Sequence, residues 1–398
     1  MKAKFLRTLL IVFVLSLGWA VAWSGQAPYP ANATFTTLIT TPLAIEGLTG
    51  DQSGNLYTVG RSPGAGLSCP VWKVNIANPS SLLVVGNIPA PSVSTQCAPS
   101  GLAFNAAGDI FVADGNRISY FTPNAATPPT ATVYAIGVPG TNGLAFDRSG
   151  NLWTGDGTTG QGRVWKITGS GADCAAATNC QEVFRIQPMR NSLNVGRANA
   201  TFPTGTEQPL VANGLAFNAE GNLLVADTAR GALWLVKFDK YGNPVSNLGC
   251  DDTFAAANTL CLENLYRADP RLEGVDGIAL DSSGNIWASV NERNAIVYTV
   301  FYGTSNSVEV FRNPINTATE LRNSSATDDS RILEFPTSPF LSGTKFCTAN
   351  SDGNRRDNSP STAGEIDQNT SQVTPKPRGK ISCMDQSLGT AGMPLPVQ

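Results

Sequence analysis

Apolar and polar positions follow one another along this chain in a fixed order that recurs five times. Each copy opens on a short apolar run of the Gly-Leu-Ala-Phe type and breaks at a polar turn ending in Gly-Asn or Gly-Asp. A second apolar run follows, then another polar turn, then a third run. The copies occupy 44–60, 99–121, 141–167, 212–236 and 275–300. Runs of strand length punctuated by Gly-containing turns predict antiparallel meanders. The turn glycines supply the positive φ that tight hairpins require. The glycines that anchor the first runs, Gly47, Gly101, Gly143, Gly214 and Gly277, are separated by 54, 42, 71 and 63 residues. A four-stranded propeller blade takes roughly 40–50 residues, so each repeat predicts one blade plus an insertion.

Beyond Val300 the pattern weakens, but strands are predicted at Ser338–Leu341, Lys345–Asn350 and Lys380–Cys383. A ring of blades must close, because open edges invite pairing with other chains. The stretch Thr34–Thr40 reads as a strand able to complete this last blade. The predicted fold is therefore all-β, a six-bladed β-propeller whose ring is closed by an N-terminal strand. A seven-bladed ring and two smaller β domains are the alternatives. The absence of a linker-like break between Glu46 and Val300 favours one ring, and 23–398 is read as a single domain. The stretch 350–378, rich in Ser, Asn, Asp, Thr and Pro, reads as a loose surface loop, and the tail after Ser387 as irregular.

The first 22 residues change the compartment. Lys2, Lys4 and Arg7 precede an apolar run from Leu9 to Leu17, and Ala20-Val21-Ala22 follows as a small-residue cleavage site. That is the layout of an export signal, and the apolar run is short for a membrane span. Loss of the leader takes the formal charge from −3 to −6, because it carries three cations and no acid. Such a balance argues against nucleic acid as a partner. After cleavage no membrane association is expected. All eight cysteines lie past the leader and fall into sequential pairs: Cys69 with Cys97, Cys174 with Cys180, Cys250 with Cys261, Cys347 with Cys383. An even count in an exported chain reads as disulfides, with neighbour pairing the simplest connectivity. Secretion or a periplasmic location follows. Two of the pairs, Cys174/Cys180 and Cys250/Cys261, sit in the extra length of long repeats and predict stapled loops on a face of the ring.

The chain contains no histidine. This excludes a Ser-His-Asp triad and a His-ligated zinc site. It also weighs against a quinone-dependent oxidoreductase on a propeller. The chemistry left rests on oxygen ligands, carboxylates, Lys, Tyr and hydroxyls. One position in the repeat supplies such oxygens. The residue just before the anchoring glycine is Glu46, Ser100, Asn142, Asn213 and Asp276 in the five copies. In a propeller the first strand of each blade lies beside the central channel, so these five side chains are predicted at one mouth of that channel. Turn chemistry accounts for Asn or Asp before Gly in any single copy, but it does not favour Glu46 or explain oxygen-bearing side chains in all five. Two carboxylates with amide oxygens form a hard donor set suited to Ca²⁺ or another divalent cation. Glu46, Asn142, Asn213 and Asp276 are the predicted metal ligands. Asp114, Asp156 and Asp227, each at the end of a second strand, are read as blade-stabilising acceptors, and Trp153, Trp234 and Trp287 as inter-blade core.

With Glu46-Gly in the first copy, Asn213-Gly in a middle one and Asp276-Gly in a late one, the chain resembles the senescence-marker protein/gluconolactonase/luciferin-regenerating enzyme family of six-bladed propellers. In that family Glu, Asn and Asp at these places bind a divalent cation, and Asn142-Gly matches a further Asn near the metal. The sequence departs from the pattern in following Glu46 with Gly-Leu rather than Gly-Pro, and in its cysteine-bearing insertions. The histidines of the related paraoxonases are absent. The resemblance implies a metal-dependent hydrolase acting on a small-molecule lactone or ester, with Asp276 as ligand, as general base for water, or both in turn. A non-catalytic propeller that binds a protein or glycan and holds a structural metal is the competing expectation. The sequence carries no sign of oligomeric state.

Overall fold

The computed structural model describes residues 29–51, 53–61, 63–187, 189–190, 207–208, 212–249, 257–301, 307–312, 332–333, 335–351 and 379–395. The predicted leader over 1–22, Cys250 and the stretch 352–378 lie outside the described residues.

Six antiparallel sheets of four principal strands make six blades. Their innermost strands are Ile45–Gly50, Pro99–Phe104, Thr141–Phe146, Ala212–Phe217, Val275–Leu280 and Pro336–Ser342. Each packs beside the inner strand of the next blade, and the sixth beside the first, so the ring is closed. Closure is made by Phe35–Thr40, which pairs antiparallel with Lys380–Met384 on the outside of the sixth blade. One blade thus combines both ends of the chain, as the sequence predicts. The sixth blade's second and third strands, Lys345–Asn350 and Lys380–Met384, are cross-linked where they pair, through Cys347–Cys383. Asn350 ends a strand here and does not belong to the loop predicted from 350 onward.

The hairpin between the first and second strand of a blade explains why the polar turn recurs. In blade one, Asp51 accepts from the backbone N–H groups of Ser53 and Asn55, from Asn55 Nδ2 at 2.8 Å and from the Tyr57 hydroxyl at 3.0 Å. In blade three, Asp147 binds the corresponding backbone groups, Asn151 Nδ2 and Trp153 Nε1. In blade five Asp281 does the same with Asn285 and Trp287. Each carboxylate ties a turn to an aromatic ring six residues on, at the start of the following strand, so the Asp-x-Ser-Gly-Asn-x-aromatic pattern is one hydrogen-bonded unit. The glycine of that unit takes φ near +80°, for example +76° at Gly54 and +81° at Gly150, where a side chain would be strained.

Between blades the core is aromatic and aliphatic. Trp153, Trp234 and Trp287 are all buried, as inter-blade packing requires. Asp227 is fully buried and accepts from Arg230 and from Trp234 Nε1. Asp114 pairs with Arg117, and Asp156 with Arg163. These three aspartates thus stabilise blades, as read from the sequence.

The described strands of the two cysteine-bearing insertions lie at the rim, not over a face as the sequence predicts. Ala172–Asp173, next to Cys174, pairs in parallel with the outermost strand of blade two, Thr132–Ile136, and the Cys174–Cys180 disulfide closes this excursion. Thr259–Leu260, from the blade-four insertion, pairs in parallel with Cys180–Ile186, the outermost strand of blade three. Each insertion therefore reaches back to cover the exposed edge of the preceding blade, which removes an edge open to foreign strands. Cys69–Cys97 ties the third strand of blade one to the crossover into blade two, and Cys261 is also disulfide-bonded.

Candidate functional site

Every inner strand is irregular at the same place. The register with the second strand slips between Ile45 and Leu48, Pro99 and Leu102, Thr141 and Leu144, Ala212 and Leu215, Val275 and Ile278, and Pro336 and Pro339. The two residues inside each slip are the variable position and its glycine in the first five blades, and Thr337 and Ser338 in the sixth. A bulge unpairs a residue and re-aims its side chain, and here it does so six times around one axis. Glu46, Ser100, Asn142, Asn213 and Asp276 therefore share one end of the ring, and the sixth member, missing from the repeat, is Thr337.

The glycines are there for backbone clearance. A Cβ on Gly277 would lie 2.5 Å from the Thr337 carbonyl oxygen, and one on Gly143 would lie 2.5 Å from that of Asn213. Gly47, Gly101 and Gly214 likewise face the carbonyls of Ser100, Asn142 and Asp276. Each glycine thus presses on the carbonyl of the next variable residue, and the ring closes where the Thr337 hydroxyl donates to the Glu46 carbonyl. The tight inner ring holds the six variable side chains in fixed relative positions.

Four of the variable residues meet the residue that follows the second strand of their own blade, each at an offset of 15. Glu46 makes an ion pair with Arg61. A Cβ on Gly157 would come within 2.9 Å of Asn142 Nδ2, so only glycine leaves that amide its room. Asn213 Nδ2 donates to Thr228 Oγ1 at 3.0 Å, and Thr228 Oγ1 donates to the Val275 carbonyl at 2.6 Å. Asn291 Nδ2 donates to Asp276 Oδ2 at 3.0 Å. Arg61, Gly157, Thr228 and Asn291 were not singled out from the sequence. The fixed offset in the aligned repeats is the signal that points to them.

The polar side chains are well removed from water, with Asn142 8 %, Asn213 2 % and Asp276 6 % exposed. Asn213 Oδ1 is buried without a hydrogen-bond partner. A buried carbonyl left in this state costs about 1–3 kcal/mol, which a cation or a donating ligand would recover. The set also fits a hard divalent cation by type: two carboxylates and two amides, all oxygen donors. Among the described residues no three Asp, Glu or Cys side chains are grouped for a metal, so any cation here depends on amide oxygens. Glu46 is engaged by Arg61 and must leave it to act as a ligand.

Below the glycine ring the axis is apolar. A cavity of about 120 Å³ is lined by Leu48, Leu102, Leu144, Leu215 and Ile278. Its far end is closed by Met393 and Leu395 of the C-terminal tail. That tail is pinned across the hairpin end of blades five and six by Met393 N to the Leu280 carbonyl, Gly392 N to the Gly343 carbonyl and Thr390 Oγ1 to Asp281. The stretch read as irregular is therefore non-repetitive but held by hydrogen bonds. Among the described residues that line the axis, the carboxylate and amide side chains are confined to the bulged end.

Among solved structures the chain is similar to a luciferin-regenerating enzyme, at 14 % identity with a TM-score of 0.53, over 91 % of this chain and 97 % of that one. It is similar to a PQQ-bound aldose sugar dehydrogenase from Streptomyces coelicolor at 14 % identity and a TM-score of 0.51, covering 90 % and 100 %. A putative gluconolactonase gives 13 % identity and a TM-score of 0.50, covering 92 % and 95 %. At such identities the likeness concerns the fold. No curated protein sequence matches the chain. The family model described as SMP-30/Gluconolactonase/LRE-like region matches residues 88–319, a stretch that holds Asn142, Asn213 and Asp276 but not Glu46. With well over half of its length under that model and six blades around one axis, the chain belongs to the SMP-30/gluconolactonase/LRE-like family.

Proposed function

We propose that this protein is an exported, divalent-metal-dependent hydrolase of lactones or related esters, with calcium as the favoured cation. The observation that carries the reading is the buried, partnerless Oδ1 of Asn213, one inner strand away from Asp276 on the bulged end of a ring of the gluconolactonase-like family. Glu46, Asn142, Asn213 and Asp276 would hold the cation. A bound cation there would polarise a lactone carbonyl and lower the pKa of water. The chain's own contribution is positional. The glycine ring fixes the spacing of the ligands, and the Thr228 hydroxyl turns the Asn213 amide. Asn291 holds one oxygen of Asp276, so that this carboxylate is oriented as ligand and as acceptor for a proton from water. The apolar shaft below keeps the reacting group at the polar mouth.

Export is supported by the leader-like first 22 residues and by the disulfides Cys69–Cys97, Cys174–Cys180 and Cys347–Cys383, which persist in oxidising compartments. Among the described residues no helix is long and apolar enough to cross a membrane.

The test is metal analysis of the mature chain with calcium titration of wild type and the Glu46→Ala/Asp276→Ala double variant. Metal content that is the same in both would remove the site. A pH-drop assay over a panel of lactones and aryl esters then decides catalysis. Bound calcium with no turnover on any of them would leave a non-catalytic propeller whose metal is structural.

A further inference from the structure

Asn291 follows the second strand of blade five and is 2 % exposed. Its backbone N–H donates to the Gly274 carbonyl at 3.0 Å, which anchors the residue beside the start of the inner strand. Its side chain has two ends with different fates. Nδ2 donates to Asp276 Oδ2, whereas Oδ1 is buried with no partner.

Proton bookkeeping shows that this orientation is forced. An ionised carboxylate can only accept, so the amide must turn its NH₂ toward Asp276 and its carbonyl away. The neighbouring Asn213 is constrained in the same way. Thr228 spends its one hydroxyl proton on the Val275 carbonyl, so toward Asn213 it can only accept, and Asn213 must offer NH₂ to it. Both amides are thus locked with their carbonyl oxygens turned off the protein's own donors. The two are linked through consecutive residues: the Asn213–Thr228 pair ends on Val275, and the Asn291 pair begins on Asp276. Two buried carbonyl oxygens without donors thus lie in the adjacent blades four and five, one of them on the side chain that donates to Asp276.

We propose that Asn291 is itself an oxygen ligand of the divalent cation. Blades four and five would then supply three side chains to it: Asn213 and Asn291 through Oδ1, and Asp276 through its carboxylate. This rests on the cation reading above and adds a ligand to it. The ligand is a hard, oxygen-seeking divalent ion, since the donors are two amide carbonyls and one carboxylate.

The experiment is calcium titration by calorimetry on the mature protein, with melting curves with and without calcium, for wild type, Asn291→Leu and Asn291→Asp. As a ligand, Asn291 replaced by Leu lowers calcium affinity by about tenfold or more. Asn291→Asp keeps or gains affinity, because a carboxylate replaces a carbonyl, and its melting temperature rises more on calcium addition than that of wild type. A residue that only positions Asp276 behaves differently. An aspartate at 291 cannot donate to Asp276 and repels it, so both variants would then bind calcium poorly. That result, or unchanged affinity in both variants, overturns the proposal. If Asn291→Leu folds poorly by circular dichroism, Asn291→Ala is read in the same titration. Absence of calcium binding by wild type would instead sink the cation reading itself, and this inference with it.

Discussion

The glycine ring permits a quantitative test at Gly277, next to Asp276. Gly277 does not have a positive φ, so alanine is permitted there by its own backbone. The obstacle is its neighbours. A Cβ would stand 2.5 Å from the Thr337 carbonyl oxygen, 2.7 Å from Pro339 Cδ and 2.9 Å from Ser338 Cα. Normal contacts between such atoms are about 3.5–4.0 Å, and none of the three can rotate away, since two are backbone and one belongs to a proline ring. Overpacking in a well-packed core costs about 1–3 kcal/mol, and three rigid contacts put Gly277→Ala at or above the upper end, about 3 kcal/mol. The internal control is Gly221→Ala. Gly221 has φ +81° but a Cβ there would meet nothing within 4 Å, so the expected cost is only the left-handed backbone strain of about 1–2 kcal/mol. Denaturant unfolding of the two variants under identical conditions, followed by tryptophan fluorescence, gives the comparison. The reasoning is refuted if Gly277→Ala is as stable as wild type, or less destabilised than Gly221→Ala. Gly277→Ala should also lose calcium affinity, since blades five and six must separate where Asp276 is held, whereas Gly221→Ala should not.

Three further outcomes are expected. Arg61→Ala frees Glu46 of its ion pair and should raise calcium affinity roughly threefold to tenfold, measured by calorimetry; unchanged affinity would mean that Glu46 is not a ligand. Burial pushes the Asp51 carboxyl up, but hydrogen bonds from Asn55, Ser53 and Tyr57 outweigh it and hold its pKa below the ordinary 3.8. The stability it contributes is therefore complete above that value and is lost as pH falls through the lowered folded value. Asp51→Asn should flatten this part of the acid unfolding curve below about pH 4, where wild type stays steep. The double variant Cys347→Ala/Cys383→Ala opens a cross-link spanning 36 residues in the blade that closes the ring. It should cost about 3–4 kcal/mol by loop entropy, read as a lowered denaturant midpoint; a loss under about 1 kcal/mol would show that strand pairing with Phe35–Thr40 holds the ring without it.

The relation between sequence and site is clearest at the repeat. Strand count, hairpin positions and ring closure were legible because they rest on local chemistry: apolar runs of strand length, and Gly at turn positions that need positive φ. The variable position was legible for the same reason, since it is fixed relative to a glycine in every copy. The rim location of the insertions was not legible. Ala172–Asp173 and Thr259–Leu260 are each two-residue strands whose partners lie in the preceding blade, and no local pattern names a distant parallel partner. Thr337 escaped because the sixth inner strand reads Pro-Thr-Ser-Pro, without the anchoring glycine. Asn291, Thr228 and Arg61 escaped because each is an ordinary turn residue until the second strand lays it against the bulge.

By itself, then, the amino-acid order determined the repeating meander, the pairing of most cysteines and the oxygen-rich character of one position per blade. Periodicity and turn chemistry act between residues near in the chain, so they can be read from the chain alone. Only the tertiary structure decided which atoms of that position are satisfied. It turned the Asn213 and Asn291 amides by the proton demands of Thr228 and Asp276, and it set Arg61 on Glu46. It also closed the apolar end of the axis with Met393. Those outcomes depend on donors and acceptors that meet only when six blades share an axis.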